Sequence, residues 1–126
     1  MDLYLSMPTK ELIWWQVDRP STPPLGKVAR RRAGFLLRLL QLGELPLKEP
    51  HVKRMRDLGR GVYELRIPDA GDRWRLIFRI DDDAIVVVEV FKKKTGKTPN
   101  RNKNAARQRL RLYDAAIAGD DSGDDS

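Results

Sequence analysis

Hydrophobic and polar positions alternate between residues 62 and 92 in the pattern of a small meander, with three strands joined by tight turns. In VYELRI an apolar face alternates with a mixed face: Tyr63, Leu65 and Ile67 against Val62, Glu64 and Arg66. In RWRLIFRI the inward residues are Trp74, Leu76, Phe78 and Ile80, and the mostly basic outward residues are Arg73, Arg75, Ile77 and Arg79. The third segment, AIVVVEVF, is apolar nearly throughout, which is typical of a strand covered on both faces.

The rest of the pattern predicts one further strand and two helices. Residues 11–17, ELIWWQV, favour an extended strand, because tryptophan and β-branched residues fit a pleated surface. A helix is predicted from about Pro23 to Leu42, after an N-cap at Thr22. Thr98 repeats this start signature before a second helix from Pro99 to about Ala118. The predicted apolar stripes are Leu25, Val28, Ala29, Ala33, Leu36, Leu37 and Leu40 in the first helix, and Ala106, Leu110, Tyr113 and Ile117 in the second.

Together these elements predict an α+β fold. It comprises a small antiparallel meander sheet of about four strands, packed against an N-terminal helical segment and followed by a C-terminal helix. Residues 10–118 are expected to form a single domain after an N-terminal extension, residues 1–9, in which Met7 is an alternative start. Residues 44–60 are predicted to be a loop, and residues 119–126 a disordered acidic tail.

The residue inventory excludes several classes of protein. The 126 residues include no cysteine, which excludes a disulfide scaffold and a zinc-thiolate site. With a single histidine, no metal and no cofactor are expected. No apolar run reaches the roughly 18 residues of a membrane helix, and the N-terminus lacks the basic start and apolar core of a signal peptide. We therefore expect a cytoplasmic protein without membrane contact.

The formal net charge of +7 hides a stronger asymmetry along the chain. Four of the 18 acidic residues lie in the final segment, GDDSGDDS. The rest of the chain carries 25 basic and 14 acidic residues, a formal charge of +11. A body with this charge attracts polyanions, with RNA or DNA the first expectation and an acidic partner protein the second.

The outward arginines of the meander are the first candidate site. Arg66, Arg73, Arg75 and Arg79 suit phosphate binding, because a planar guanidinium holds two phosphate oxygens at once. The alternative is a solvated sheet face in which Glu64 and Glu89 pair with the arginines across strands. Spacing alone leaves both interpretations open.

The run FKKKTGK at the end of the meander is a second candidate. Phe91 could stack on a base while Lys92, Lys93 and Lys94 contact a nucleic-acid backbone, or the lysines could protect an edge strand from aggregation. His51 is the one ordinary proton shuttle near neutral pH, although a single loop histidine more often has no catalytic role.

Two further charged groups have structural explanations. The triplet Arg30–Arg32 spans too much of a helix to face one ligand, so we expect a solvated helix face. The triplet Asp81–Asp83 resembles a carboxylate cluster for a metal. It lies between two strands, which predicts the turn of a hairpin instead.

The order of several motifs resembles a known family. LIWW is followed by TPP, by a helix containing RRRAGFLLRLLQLGE, and then by PHVKRMRDLG, YELRIPD, WRLIFRIDDDAIVVVEVFKKKTGKTP and AARQRLRLYD. Over roughly residues 10–115 this order resembles the phage-derived HigB-type toxins of the RelE/ParE superfamily of type II toxin–antitoxin systems. The resemblance implies a metal-independent endoribonuclease that cleaves mRNA on the ribosome, inhibits translation and is neutralised by a HigA-like helix-turn-helix antitoxin.

The resemblance also implies roles for individual residues. Arg66 and Arg75 would contact the scissile phosphate, and Lys53 would transfer a proton or stabilise charge. The implied RNA-binding residues are Arg73, Phe91, Lys92, Lys93 and Lys94. Cleavage without a metal is chemically sound, because the 2′-hydroxyl can attack the adjacent phosphate while the protein aligns it and stabilises charge. Many relatives end the site with a C-terminal tyrosine or histidine, whereas Tyr113 lies on an apolar stripe and is expected to pack.

Two rival functions remain open at this stage. ParE-type relatives share the fold but poison DNA gyrase, and a non-catalytic nucleic-acid-binding module is favoured if Glu64 and Glu89 neutralise the arginine face. The arginines of YELR and WR on one face favour the nuclease. For the antitoxin, we expect contact with the apolar and basic surface of the helix from Pro23 to Leu42 rather than direct plugging of the arginine face.

Overall fold

Five strands and two long helices make up the part of the chain that the structure describes. This structure is a computed structural model, and it describes residues 9–17, 25–69, 72–93 and 96–123. The elements, in chain order, are β1 (Glu11–Trp14), α1 (Lys27–Gln41), β2 (Val52–Arg54), a short 3-10 helix (Arg56–Leu58), β3 (Val62–Asp69), β4 (Asp72–Ile80), β5 (Ala84–Lys92) and α2 (Asn100–Gly123).

The strands form one mixed sheet in the order β1-β5-β4-β3-β2. Strands β3 to β5 form the predicted antiparallel meander, β2 pairs with β3 in antiparallel orientation, and β1 pairs with β5 in parallel. The predicted α+β class is therefore confirmed, with two differences in detail. The structure adds β2 inside the predicted loop 44–60, and its three residues are too few to show a periodic pattern.

A helix packs on each face of the sheet. The inward residues of β3 and β4 pack under α1, where Leu65, Leu76 and Phe78 are fully buried, as predicted. The opposite face was predicted to be outward, and this is wrong for part of it. Ile77 is fully buried there, in a second cluster with Leu110 and other residues of α2. The C-terminal helix therefore covers a large part of the surface that the arginines share.

A β-bulge in β5 fixes how α2 attaches to the sheet. Ile77 pairs with Glu89 and the next residue, Phe78, pairs with Val87, so that Val88 is the extra residue. Val88 and Glu89 therefore both face α2. Val88 is buried in the cluster beneath that helix, and Asn102 donates to the Glu89 carboxylate at 3.0 Å.

The first helix begins later than predicted. Lys27 is its first residue and Gly26 its N-cap, whereas the predicted start at Thr22 and Pro23 lies outside the described residues. The predicted stripe is confirmed at its buried positions, Leu25, Ala29, Ala33, Leu36, Leu37 and Leu40. Val28 differs, because half of its side-chain surface is exposed. The helix ends at Gln41, and Gly43 follows with a positive φ of 72°, a conformation that glycine adopts without a steric penalty.

The second helix starts at Asn100, directly after Pro99, and runs further than predicted. It extends through Gly119 to Gly123, beyond the predicted end near Ala118 and into the segment predicted to be a disordered tail, while residues 124–126 lie outside the described part. A glycine inside a helix costs only about 1 kcal/mol and does not by itself end it. Neither helix, within the described residues, has the length and apolar character needed to cross a membrane.

Candidate functional site

Strand pairing gathers the predicted catalytic residues on one face of the sheet. Lys53 of β2 lies opposite Glu64 of β3, and Arg66 of β3 lies opposite Arg75 of β4. Directly opposite residues project to the same face, so Lys53, Arg66 and Arg75 share the face that α2 covers further along. The register agrees with the predicted shared face of Arg66 and Arg75, and it adds Lys53, which the sequence placed in a loop.

A cleft of about 300 Å³ opens beside these strands. It is lined by Pro50, His51, Arg66, Pro68, Arg73 and Arg75. The backbone amide of Arg66 donates to the carbonyl oxygen of His51 at 2.8 Å, which holds the loop before β2 against β3. His51, singled out in the sequence as the only histidine, therefore stands at the wall of the arginine cleft.

Arg75 is the most tightly held of the cleft arginines. Its Nε lies 3.3 Å from Glu64 Oε1, and its Nη1 donates to the carbonyl oxygen of Trp74 at 3.0 Å. Only 9% of the residue is exposed. Burial lowers the pKa of the Arg75 guanidinium, and the Glu64 charge opposes this shift. Nη1 is thus held by a hydrogen bond, whereas Nε lies at ion-pair distance from Glu64 without forming a hydrogen bond.

Glu64 is the residue that sequence reasoning undervalued. Its side chain is fully buried; Oε2 accepts a hydrogen bond from the Thr98 hydroxyl, and Oε1 faces Arg75 and, at 3.6 Å, Lys93 Nζ. From the sequence, Glu64 was considered only as one of two acidic residues that could neutralise the arginines. Thr98 was predicted to cap a helix, whereas its hydroxyl donates to the Glu64 carboxylate. The available signal was an acidic residue on the sheet face that carries the arginines of β3 and β4.

The edge loop differs most from the prediction. Phe91 is only 8% exposed and packs in the cluster under α2, so its ring is not open for stacking on a base. Lys93 is also buried, because it folds back onto Glu64, and burial lowers the pKa of its amine. Lys92 is exposed, and Lys94 lies outside the described residues. The prediction that Phe91 of this loop stacks on an RNA base is therefore wrong.

The charges around the cleft do not balance. Arg66 pairs with Glu49 at 3.2 Å, and Glu64 serves both Arg75 and Lys93. Arg73 and Lys53 are exposed. Among the described side chains, two carboxylates, Glu49 and Glu64, thus stand against the cations Lys53, Arg66, Arg73, Arg75 and Lys93. Such a surplus of positive charge suits an anionic ligand.

The remaining charged residues of this face are engaged elsewhere. Arg79 binds Asp81 at 2.7 Å and Asp114 at 2.6 Å, which raises the pKa of its guanidinium. Glu89 binds Arg109 of α2 at 3.0 Å rather than an arginine of the sheet. The alternative in which Glu64 and Glu89 together neutralise the arginine face is therefore wrong for Glu89.

The aspartate triplet forms the predicted hairpin turn. Residues 81–83 connect β4 to β5, and the backbone amide of Asp81 donates to the carbonyl oxygen of Ala84 at 2.8 Å. Within the described ranges, no group of histidine and acidic side chains is arranged to hold a metal ion. Tyr113 packs as predicted, with its ring edge-on to Trp15 at a centroid distance of 5.3 Å.

Comparison with protein families identifies this type of chain. The family model described as "Phage derived protein Gp49-like (DUF891)" matches residues 24–111, which is more than half of the chain. The match spans α1, all of the strands from β2 to β5, and the first half of α2. A comparison with curated protein sequences found no match.

Proposed function

Because the chain belongs to the phage-derived Gp49-like proteins, a family of RelE/HigB-like toxins, we propose that it is a HigB-type toxin that cleaves mRNA on the ribosome. In this proposal it is a metal-independent endoribonuclease that acts in the cytoplasm and stops translation. The observation that carries the proposal is the cleft beside Arg66, Arg73 and Arg75, where positive charge exceeds negative charge.

The chemistry needs few special groups. In RNA, the 2′-hydroxyl can attack the neighbouring phosphate, and the enzyme has to align this attack and stabilise the added negative charge. Arg66 and Arg75 lie opposite each other and can receive the phosphate between them. Lys53, exposed on the neighbouring strand, transfers a proton or stabilises the charge of the leaving oxygen in this scheme.

In this scheme the nucleobase next to the scissile phosphate needs a surface on which to stack, and the buried ring of Phe91 cannot provide it. The wall of the cleft supplies one, because Pro50, Pro68 and the ring of His51 line it beside the arginines. Nucleobases stack on flat, weakly polar side chains of this kind. We therefore assign the base to this wall and the phosphate to Arg66 and Arg75.

The family of toxin–antitoxin modules implies an antitoxin partner, and we propose a HigA-like helix-turn-helix protein. The outer face of α1 supports a docking site away from the cleft. Val28, Phe35 and Leu42 recur every seven residues, so they lie along one side of the helix, and they are 50%, 64% and 39% exposed. Exposed Arg31 and Arg38 lie near this stripe, and α1 contains no acidic residue. An acidic, amphipathic segment of the antitoxin complements such a surface.

The experiment that tests the function is expression without an antitoxin, followed by pulse labelling of new protein and new DNA. We expect protein synthesis to stop first, and primer extension on abundant mRNAs to reveal new 5′ ends inside reading frames. A Lys53→Ala, Arg66→Ala double variant, expressed at the same level, should permit growth. Continued protein synthesis with loss of DNA supercoiling would instead support a ParE-like gyrase inhibitor. Neither effect in cells that accumulate folded protein would overturn the proposal.

A further inference from the structure

A fully buried carboxylate lies behind the arginine cleft and contacts two of its cations. Glu64 has no exposed surface, and its Oε1 lies 3.3 Å from Arg75 Nε and 3.6 Å from Lys93 Nζ. Both distances are longer than those of an ideal charge-assisted hydrogen bond, about 2.8 Å. Glu64 Oε1 therefore attracts both cations electrostatically and forms a short hydrogen bond with neither.

Without this carboxylate the site would repel itself. Arg66 lies opposite Arg75, and like charges opposite each other in a sheet are destabilising. Lys93 and Lys53 add further positive charge on the same face, and Lys53 lies directly opposite Glu64. Each buried cation loses hydration, a cost that a nearby negative charge offsets. Glu64 is the charge that permits this concentration of cations.

The environment of Glu64 excludes a direct part in the reaction. Its side chain is closed to solvent, and Oε2 is occupied by the hydroxyl of Thr98, the residue before Pro99 at the start of α2. A general base has to reach the proton that it removes, and no RNA atom can approach this carboxylate. Its influence on RNA must pass through the cations that it holds.

We propose that Glu64 is a positioning residue of the RNA-cleaving site, which holds Arg75 and Lys93 in place through a buried carboxylate that Thr98 orients. This inference rests on the proposed nuclease function. It predicts that the charge of Glu64, and not only its volume, is required, because two cations converge on one oxygen atom.

The decisive variant is Glu64→Gln, which keeps the volume and an oxygen that can accept from Thr98 but removes the charge. Glu89→Gln is the matched control, because Glu89 is also a carboxylate on the α2 side of the sheet, but it binds Arg109 rather than Arg75 or Lys93. Purified proteins are compared in two ways. Cleavage of ribosome-bound mRNA is measured, and NMR follows the pH titration of the Lys93 amine and the Nε signal of Arg75.

We expect Glu64→Gln to lower the cleavage rate by roughly tenfold to 100-fold, since misplacement of about 1 Å has effects of this size. The pKa of Lys93 should fall further, because the Glu64 charge now raises it against the effect of burial. The Arg75 Nε signal should shift. The three principal charged groups facing Lys93 are Glu64 on β3, Arg75 on β4 and Lys53 on β2, so Glu89→Gln should leave all three readouts close to wild type.

Two results would overturn the inference. One is an unchanged Lys93 titration and Arg75 signal in folded Glu64→Gln protein; the other is an equal loss of rate in both variants. Should Glu64→Gln fail to fold, Thr98→Val provides a second test, because it keeps the charge but removes the donor that orients it; an unshifted Arg75 signal there would also contradict the proposal. The NMR readouts do not require cleavage, so an inactive wild-type protein would reject the nuclease function without deciding whether Glu64 holds the two cations.

Discussion

Arg66 on β3 lies directly opposite Arg75 on β4, so two guanidinium groups share one position of the antiparallel ladder. Cross-strand pairs of like charge are normally avoided, because they destabilise a sheet. Here each arginine lies near a carboxylate: Glu49 is beside Arg66, and Glu64, which also faces Lys93, is behind Arg75. A phosphate contacted by both guanidinium groups, as in the proposed function, would relieve the repulsion between them.

Lys53 provides the simplest test of the cleft. Lys53→Ala removes an exposed cation on the arginine face, whereas Arg54→Ala removes an exposed cation from the next position of β2, whose side chain projects to the other face. We expect Lys53→Ala to lower cleavage of ribosome-bound mRNA by about 100-fold. Arg54→Ala should have little effect. Neither change should alter the free energy of unfolding by more than about 0.5 kcal/mol, as measured by urea denaturation. Equal rates for the two variants would remove Lys53 from the site.

Arg75 calls for a substitution that keeps its charge. Replacing Arg75 with alanine would leave Glu64 buried beside fewer cations, and an uncompensated buried charge costs about 3 kcal/mol or more. Arg75→Lys avoids this loss but removes the planar fork that holds two phosphate oxygens. We expect cleavage to fall by about 100-fold while the protein remains folded.

Arg79→Lys is the matched control for Arg75→Lys, since Arg79 lies on the same face of β4 but is occupied by Asp81 and Asp114. Its cleavage rate should stay close to wild type. Its free energy of unfolding should fall by roughly 1 kcal/mol, because lysine cannot contact both carboxylates in the same geometry. A rate for Arg79→Lys as low as that for Arg75→Lys would mean that the cleft arginines have no special role.

Tyr113 should make stability depend on pH in the alkaline range. Burial, followed by the charges of Asp81 and Asp83, raises the pKa of its phenol above the ordinary value of 10.0. The folded state therefore retains this proton more strongly than the unfolded state. The resulting contribution to stability is fully present below pH 10.0 and is lost as the pH rises through the folded-state pKa.

Urea denaturation at a series of alkaline pH values checks this expectation. The decline in the free energy of unfolding should be shallower in Tyr113→Phe than in wild type. Identical slopes in Tyr113→Phe and wild type would show that Tyr113 makes no contribution to this pH dependence.

Phe35 tests where the antitoxin binds. It is the most exposed large apolar side chain described, at 64%, and it lies at the middle of the stripe on α1. Phe35→Ala should weaken binding of the proposed HigA-like antitoxin by at least about tenfold, as measured by calorimetry. Leu112→Ala, a similar change on α2, should not. Binding should also weaken as salt is added, because basic residues flank the stripe. Wild-type affinity for Phe35→Ala, with weaker binding by Arg66→Ala, would place the antitoxin on the cleft instead.

Local patterns sufficed for the strands that alternate cleanly. The inward faces of β3 and β4 were predicted correctly, because side-chain alternation is a property of each strand alone. Position within the tertiary structure was not predictable in this way. Ile77 and Phe91 are buried because α2 returns over them, and nothing in the neighbouring sequence of either residue records the path of that helix.

The candidate site shows the same division between local and distant information. The pairing of Arg66 with Arg75 on one face followed from side-chain alternation, whereas Lys53 was implied only by the family resemblance, because its strand was predicted to be a loop. The burial of Lys93 did not follow from the sequence, because lysine runs at sheet edges are usually solvated, and only Glu64 on a distant strand draws this side chain inward. The bulge at Val88 was also missed, since an extra residue in a continuous apolar run leaves no break in the pattern.

The parallel pairing of β1 with β5 restricts the order in which this sheet can be assembled. Strands β3 and β4 are consecutive along the chain and can pair as soon as both have been made. Glu11, at the start of β1, has its partner at Ala84, so β1 has no place in the sheet until β5 exists. Pairings between distant segments form slowly, because the entropy cost of closing a long loop comes before the contacts that offset it. In a chain emerging from the ribosome, β1 is therefore synthesised before the other described strands but cannot join the sheet before β5 has been made.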